Sequence, residues 1–322
     1  MNKKVLVTGI GGVVGQGILR NLNQLGLDIT VIGTNVKKIS AGNYLCDRVY
    51  EVPYAYEPDF IPAMVKIVKR DAVDLIVPST DYEAYYLGSS RNSLDCEIAC
   101  SPPEVTGMCL DKYKTYHALK AANIPFAESR LPSLYNNEFS KIVVKPREGR
   151  GSRDICVNPS APKSFDDTYV IQDYLDGPEL TTAFYVTKEK RLHGQITFVR
   201  ELDSGNTSKC EVVFDYDKEV NYLIEGLISN FRFSGSSNIQ ARVTSNGIVP
   251  FEINCRISGT NSVRSQFGFS DVEYTVQELL FNQNPNRCEI RKGSALRVML
   301  DLIYPDKTLH QISDKNDNFY IN

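Results

Sequence analysis

Short apolar runs alternating with helical stretches open the chain. Lys4-Val5-Leu6-Val7-Thr8, Asp28-Ile29-Thr30-Val31-Ile32-Gly33 and Val73-Asp74-Leu75-Ile76-Val77-Pro78 read as buried strands, and the 3.6-residue pattern at 15–25 and 60–69 predicts helices between them. That alternation builds βαβ units and hence a parallel, Rossmann-type sheet. Pro102-Pro103 punctuates the pattern, and a further helix is expected over 111–122, closed by Asn123 and Pro125. From Ile142 the period changes to that of strands and hairpins: 142–145, 169–172, 182–186 and 194–199, then a helix near 219–231 and strands at 237–243 and 248–253. The second part is therefore α+β rather than a continued βαβ array. The last ten residues, rich in Asp, Asn and Lys, are expected to form a loose tail.

At 322 residues the chain suits two or three compact units rather than one core. Its 42% hydrophobic and 23% charged residues are those of a globular protein and exclude disorder, collagen and coiled coil. A net charge of -3 excludes a broad cationic surface for nucleic acid while allowing a local phosphate site. No apolar run has the length of a membrane span, and the first strand is too short for a signal peptide's apolar core. The eight cysteines form no CxxC pair, and Cys96 and Cys100 have no partners at zinc spacing. These features together predict a cytoplasmic protein with reduced thiols.

Thr8-Gly9-Ile10-Gly11-Gly12-Val13-Val14-Gly15 follows a strand and opens a helix, the context of a dinucleotide-binding turn. With Tyr116-His117-Ala118-Leu119-Lys120 as a YxxxK match, it raises an NAD(P)-dependent short-chain dehydrogenase or epimerase as a rival reading. Against this, the second strand ends at Gly33-Thr34-Asn35, without the acid that would hold a ribose hydroxyl. The glycines serve equally well as a tight turn that packs.

Three later stretches carry more chemistry. In Val143-Val144-Lys145-Pro146-Arg147-Glu148-Gly149-Arg150-Gly151-Ser152-Arg153 a lysine ends an apolar strand before a glycine-rich basic loop, which suits phosphate oxygens, or else a solvated hairpin. In Ile171-Gln172-Asp173-Tyr174-Leu175-Asp176-Gly177-Pro178-Glu179 a strand runs into a polar turn that can offer backbone groups to an adenine edge and an acid to a ribose, or be a plain turn. In Pro250-Phe251-Glu252-Ile253-Asn254-Cys255-Arg256 strand alternation places Glu252, Asn254 and Arg256 on one face, with Gln240 on a neighbouring strand. Such oxygen donors suit Mg2+, although a solvent-facing hairpin would share the pattern.

Taken in this order, the segments resemble the ATP-grasp superfamily, in the branch of the carbamoyl-phosphate synthase large subunit and related carboxylate-amine ligases. The resemblance runs from Lys4 to about Leu280. It implies a fold of mixed α/β and α+β class, with a Rossmann-like pre-ATP-grasp domain at 1–103 and a two-lobed ATP-grasp domain. The small lobe with its phosphate lid falls at 104–176, the large lobe with the metal site at 177–322. Asp111-Lys112-Tyr113-Lys114 resembles the family's entry helix, which makes Lys112 an ATP-phosphate ligand and the YxxxK match a coincidence. Lys145 matches the second ATP lysine; Gly149, Gly151 and Ser152 the lid; Gln172, Asp173, Tyr174 and Leu175 the adenine hinge; and Glu179 the ribose acid. Gln240, Glu252 and Asn254 match the metal positions and Arg256 the phosphate-contacting arginine, so that Lys145 and Arg256 are the catalytic pair. The segment 157–168 is shorter than usual and contains Pro159 and Pro162, which predicts a reduced helix there, and Cys255 stands where proline is common.

The resemblance implies an enzyme that uses ATP with Mg2+, or Mn2+ in its place. A carboxylate would be activated as an acyl phosphate for attack by an amine, with small-molecule substrates, no nucleic-acid or membrane partner, and a homodimer as a further expectation. A non-catalytic ATP sensor is the other alternative. Substrate identity is not written in these motifs. Arg200, Arg264 and Arg297 are candidate carboxylate anchors, Asp81 and Glu83 lie where they would meet an amine, and His193 is expected to be structural.

Overall fold

The computed structural model describes residues 2–149 and 153–322. Strands β1 (Lys3–Val7), β2 (Ile29–Asn35), β3 (Arg48–Glu51), β4 (Leu75–Val77) and β5 (Glu97–Ile98) form a parallel sheet in the order β3-β2-β1-β4-β5. Their central runs are apolar on both sides because both faces are covered. On one face lies α1 (Val13–Gln24), whose Ile18, Leu19 and Leu22 join Val5, Val7 and Val31 together with Ile257, Val272 and Val276 from far along the chain. On the other, α2 (Phe60–Asp71) and α3 (Asp81–Ser89) bury Phe60, Met64, Val68 and Leu87 against Leu6, Ile32 and Ile76.

Helices α4 (Pro103–Leu110) and α5 (Lys112–Ala121) lead out of this domain. A four-stranded antiparallel sheet follows, built from β6 (Ser129–Arg130), β7 (Ile142–Pro146), β8 (Cys156–Val157) and β9 (Tyr169–Asp173) in the order β6-β9-β7-β8. The largest sheet is antiparallel too. It comprises β10 (Glu179–Val186), β11 (Leu192–Asp203), β12 (Asn206–Val212), β13 (Gly235–Thr244), β14 (Gly247–Asn254) and β15 (Ser294–Leu296), ordered β14-β13-β10-β11-β12-β15. Helix α6 (Asp217–Asn230) packs Val220, Leu223, Ile224 and Leu227 against Leu180, Phe184, Ile239 and Ile253 on one face of that sheet. The opposite face is polar at the end occupied by Glu179, Gln240 and Glu252. Two short helices follow the sheet, α7 (Asn261–Arg264) and α8 (Asp271–Thr275). At the other end of the polar face, Ala183, Tyr185, Ile196 and Phe198 pack with Phe269 and with Tyr274 of α8.

One irregularity sits on the edge strand. Gln240 pairs with Glu252 and Ala241 with Pro250, so that Phe251 is an extra residue in the β13–β14 ladder.

Helices α1, α2, α5 and α6 and strands β1, β2, β4, β7, β9, β10, β11, β13 and β14 lie where the hydrophobic pattern expects them, whereas β3, β5, β6, β8, β12 and β15 have no counterpart in it. Helices α3 and α4 are additions. Neither shows a single apolar stripe: α3 packs on several sides, with Tyr85 and Tyr86 meeting edge-on, and α4 has only eight residues. The sequence signal for α3 is its cap. Thr80 accepts from the Glu83 amide and Glu83 reaches back to Thr80, a capping box. The shortened segment after β8 holds a single 3-10 turn, Pro162–Ser164.

The expectation of a loose tail is corrected. Leu302–Ile303 and Tyr320–Ile321 pair as a small antiparallel sheet, the Lys315 amide donates to the Cys46 carbonyl at 2.9 Å, and the Phe319 ring meets Tyr44 edge-on. The polar residues there serve turns: Asp317 accepts from the Ser313 amide at 2.7 Å and pairs with Lys307.

Candidate functional site

Two lysines are brought together by the way α5 is fastened to the loop after β7. Asp111 caps α5, accepting from the Tyr113 and Lys114 amides at 2.9 and 3.2 Å, and at the same time takes the Arg147 guanidinium at 2.5 Å (Nη2) and 3.2 Å (Nε). The Arg147 carbonyl in turn accepts from the Lys112 amide at 3.0 Å and from Lys112 Nζ at 3.4 Å. Burial pushes the Asp111 carboxyl up, but the Arg147 hydrogen bond and the helix amides outweigh it and hold it below the usual range. This clamp, which no motif in the sequence announces, sets Lys112 beside the end of β7.

Lys145, on β7, crosses from the four-stranded sheet to the large sheet. Its ammonium donates to the Phe251 carbonyl at 3.3 Å and lies 5.0 Å from the Phe251 ring centre. It is buried at 5% exposure. Burial pulls its pKa down to about 7 against the upward pull of Glu252, and Lys112 adds to the fall.

Along β14 the face opposite α6 carries Glu252 and Asn254, and β13 adds Gln240. Asn254 Nδ2 donates to Glu252 Oε1 at 3.1 Å, Gln240 Nε2 to Asn254 Oδ1 at 3.3 Å, and Arg200 to Gln240 Oε1 at 2.8 Å. Burial alone would raise the Glu252 pKa. The charges of Lys112 and Lys145, the Asn254 bond and Arg256 together bring it down to about 2. Among the described residues no three His, Cys, Asp or Glu side chains converge into a self-sufficient metal cage. A carboxylate with two amide oxygens between cations fits a hard cation only when phosphate oxygens complete its shell, which is how Mg2+ is commonly held.

Just past β14, Arg256 Nη2 pairs with Asp81 Oδ2 at 2.8 Å, and Nη1 donates to the Ile257 carbonyl at 3.2 Å. Asp81 begins α3 at the carboxyl end of β4, so the pair joins the N-terminal domain to the large sheet. Glu83 does not share that role. Its carboxylate accepts from the Thr80 amide and hydroxyl, both at 2.9 Å, and burial raises its pKa against those bonds.

The hinge segment runs along the end of β9. Gln172 turns its side chain inward, donating to Ser129 Oγ at 3.0 Å; the Asp173 amide bonds the Glu128 carbonyl and the Tyr174 amide the Lys141 carbonyl, both at 2.9 Å. Leu175 follows, half-buried. Glu179 is the first residue of β10, held between Arg200 at 2.7 Å and Arg242 at 3.0 Å. Spacing alone does not pair these two flanking arginines, because they come from different strands. Gly149 lies nearest Pro146; Arg150, Gly151 and Ser152 lie outside the described residues.

Other candidates are drawn into the framework. Arg264, fully buried, is committed to Asp271, Ser258 and Thr260, which removes it as a carboxylate anchor. Arg297 donates to the Gly259 carbonyl at 3.0 Å, and His193 lies against Tyr274 with Nε2 2.8 Å from the Asn286 carbonyl. The Tyr116 hydroxyl and Lys120 gather around Glu128, remote from the glycine turn in both sequence and sheet.

The glycine turn is closed by packing. A Cβ at Gly15 would stand 2.6 Å from the Gly9 carbonyl oxygen and 2.9 Å from Ile10 Cα, and one at Gly17 would stand 2.4 Å from Asn261 Oδ1. Asn261 also bonds the Val14 carbonyl and Asn21, so α1 is docked on the large lobe. Gly15→Ala is therefore expected to destabilise the chain by roughly 1–3 kcal/mol, read as a lower midpoint in chemical denaturation at unchanged slope.

Residues 109–260 match the ATP-grasp domain family, and residues 5–99 match the PylC-like N-terminal domain. No curated protein matches the sequence. Among solved structures, N5-carboxyaminoimidazole synthetase from Staphylococcus aureus in complex with ADP is similar at 14% identity and a TM-score of 0.75, with 93% of this chain and 83% of that one covered. L-amino acid ligase from Bacillus licheniformis is similar at 13% identity and 0.71, covering 89% and 75%. The biotin carboxylase domain of Hydrogenobacter thermophilus 2-oxoglutarate carboxylase, solved with MgADP and bicarbonate, is similar at 14% and 0.69, covering 91% and 73%. At these identities the likeness is one of fold.

Proposed function

This chain is an ATP-grasp protein with a PylC-like N-terminal domain, and on that premise we propose that it is a Mg-ATP-dependent ligase joining a small carboxylate to an amine through an acyl phosphate. The observation that carries the reading is the convergence of Lys112, Lys145 and Arg256 on the Glu252–Asn254 pair between two sheets. Three cations around one carboxylate are what a triphosphate and its counter-ion need.

In this reading the adenine lies against the end of β9 at residues 172–175, and Glu179 takes the ribose. Lys112 and Lys145 bind phosphate oxygens, and Arg256 steadies the charge on the transferred group. The substrate carboxylate oxygen bonds to the γ-phosphorus while the bond to ADP breaks. The amine nitrogen then attacks the acyl carbon, phosphate leaves with the bonding electron pair, and the amine loses a proton. Glu252, Asn254 and Gln240 would hold the magnesium ion, which when bound neutralises charge on the phosphates. The loop at 149–153 is assigned the lid that keeps water from the acyl phosphate.

The test is thermal stability in the presence of Mg-ATP, ATP with EDTA, NAD or NADP. Mg-ATP at about 100 times its dissociation constant adds roughly 2.7 kcal/mol, a rise of a few degrees in Tm, and ATP with EDTA should give little of it. Stabilisation by NAD or NADP alone would defeat the proposal and return residues 9–15 to cofactor binding.

A further inference from the structure

The ligase reading leaves one feature unexplained. The arginine assigned to phosphate is already paired with a carboxylate. Asp81 and Arg256 are separated by 175 residues, yet their side chains are only 12% and 13% exposed and meet at 2.8 Å. Asp81 Oδ2 also receives Asn254 Nδ2 at 3.4 Å, so the carboxylate touches the proposed metal strand as well. Arg256 meanwhile remains short of partners: among the described residues its Nε is buried with no acceptor. A buried donor left in that condition is costly, and phosphate oxygens would relieve it.

The order of groups along β14 fixes which phosphate is involved. Lys145 reaches the Phe251 carbonyl, Glu252 and Asn254 follow, and Arg256 lies beyond the strand end, against the N-terminal domain. A polyphosphate laid from the lysines toward that domain ends at Arg256. Resting on the ligase reading, we propose that Asp81 is a positioning residue that restrains Arg256 in the nucleotide-free cleft and yields it to the terminal phosphate of ATP. An ion pair contributed by the N-terminal domain thereby lowers the preference for triphosphate over diphosphate. The Asp81 charge acts by competing with the incoming phosphate for Arg256. Once Arg256 is released, the α3 N-terminus still stabilises the Asp81 carboxylate, so the exchange does not strand a buried anion.

The experiment measures dissociation constants for the imido analogue of ATP and for ADP, both with magnesium, by calorimetry. Wild type is compared with Asp81→Asn and with Asp81→Ala, the second because an asparagine oxygen can still accept from Arg256. Neutralising Asp81 is expected to tighten the triphosphate about five- to tenfold and to move ADP by less than about twofold. In an Arg256→Met background the effect of neutralising Asp81 should vanish, since a double-mutant cycle isolates the pair. Weaker triphosphate binding, equal tightening of ADP, or an effect that survives without Arg256 would each overturn the proposal. A wild-type chain that binds neither nucleotide would instead bring down the ligase reading, and the proposal with it.

Discussion

Replacing Lys145 with methionine is expected to lower ADP release by a factor on the order of 10²–10³, the usual cost of removing one preorganised electrostatic group from a transfer site. The side chain is buried, so methionine occupies much of the same space and folding should survive; circular dichroism and the melting curve check this. The same lysine predicts a pH dependence. Burial, opposed by Glu252 and aided by Lys112, sets its pKa at about 7 in the free protein. Bound phosphates favour the ammonium, so Mg-ATP affinity should be full below that value and fall above it by up to about tenfold per pH unit. Binding near neutrality should take up a proton, which calorimetry in buffers of different ionisation enthalpy detects. A flat affinity profile from about pH 6 to about pH 9 would show that Lys145 does not ionise in this window.

Glu252→Gln is expected to remove both magnesium-dependent stabilisation by ATP and measurable ADP release. The amide keeps the shape but removes the charge that balances Lys112, Lys145 and Arg256. Because Glu252 is the leading group that holds the Lys145 pKa up, the binding midpoint of any residual nucleotide affinity should move below about 7. That second readout separates loss of the carboxylate's charge from general damage to the fold, which would leave the midpoint where it was. If the glutamine variant retains magnesium-dependent turnover, Glu252 is not a metal ligand.

What the sequence makes legible is local. Val5-Leu6-Val7 and Leu75-Ile76-Val77 are apolar throughout because both faces of a parallel sheet are covered, and that pattern needs no distant information. The juxtaposition of Glu252 and Asn254 follows from strand alternation, and Lys145 is marked by ending an apolar strand before a glycine-rich loop. What escapes is non-local. The Asp111–Arg147 clamp spans 36 residues and the Asp81–Arg256 pair 175, and neither spacing has a period that sequence can display. Arg264 illustrates the converse: a charged residue that reads as surface or substrate-facing is buried because Asp271 is folded against it. Composition misleads about the tail, since Asp and Asn that cap turns look the same in sequence as Asp and Asn that face water.

The extra residue at Phe251 has a consequence for how the catalytic strand can vary. On β14 the even-numbered Ile248 and Pro250 are buried before it, whereas the odd-numbered Ile253, and Cys255 just past the strand end, are buried after it. The strand thus changes phase by half a period at one point, and only that slip lets a single segment seat its first half and its second half in the same core while turning Glu252 and Asn254 to the cleft. Length and chemistry are thereby locked together: residues may be gained or lost in the hairpin at 245–247 without altering what faces the nucleotide, but a change of one residue between Pro250 and Glu252 would exchange inside for outside along the whole metal-binding half.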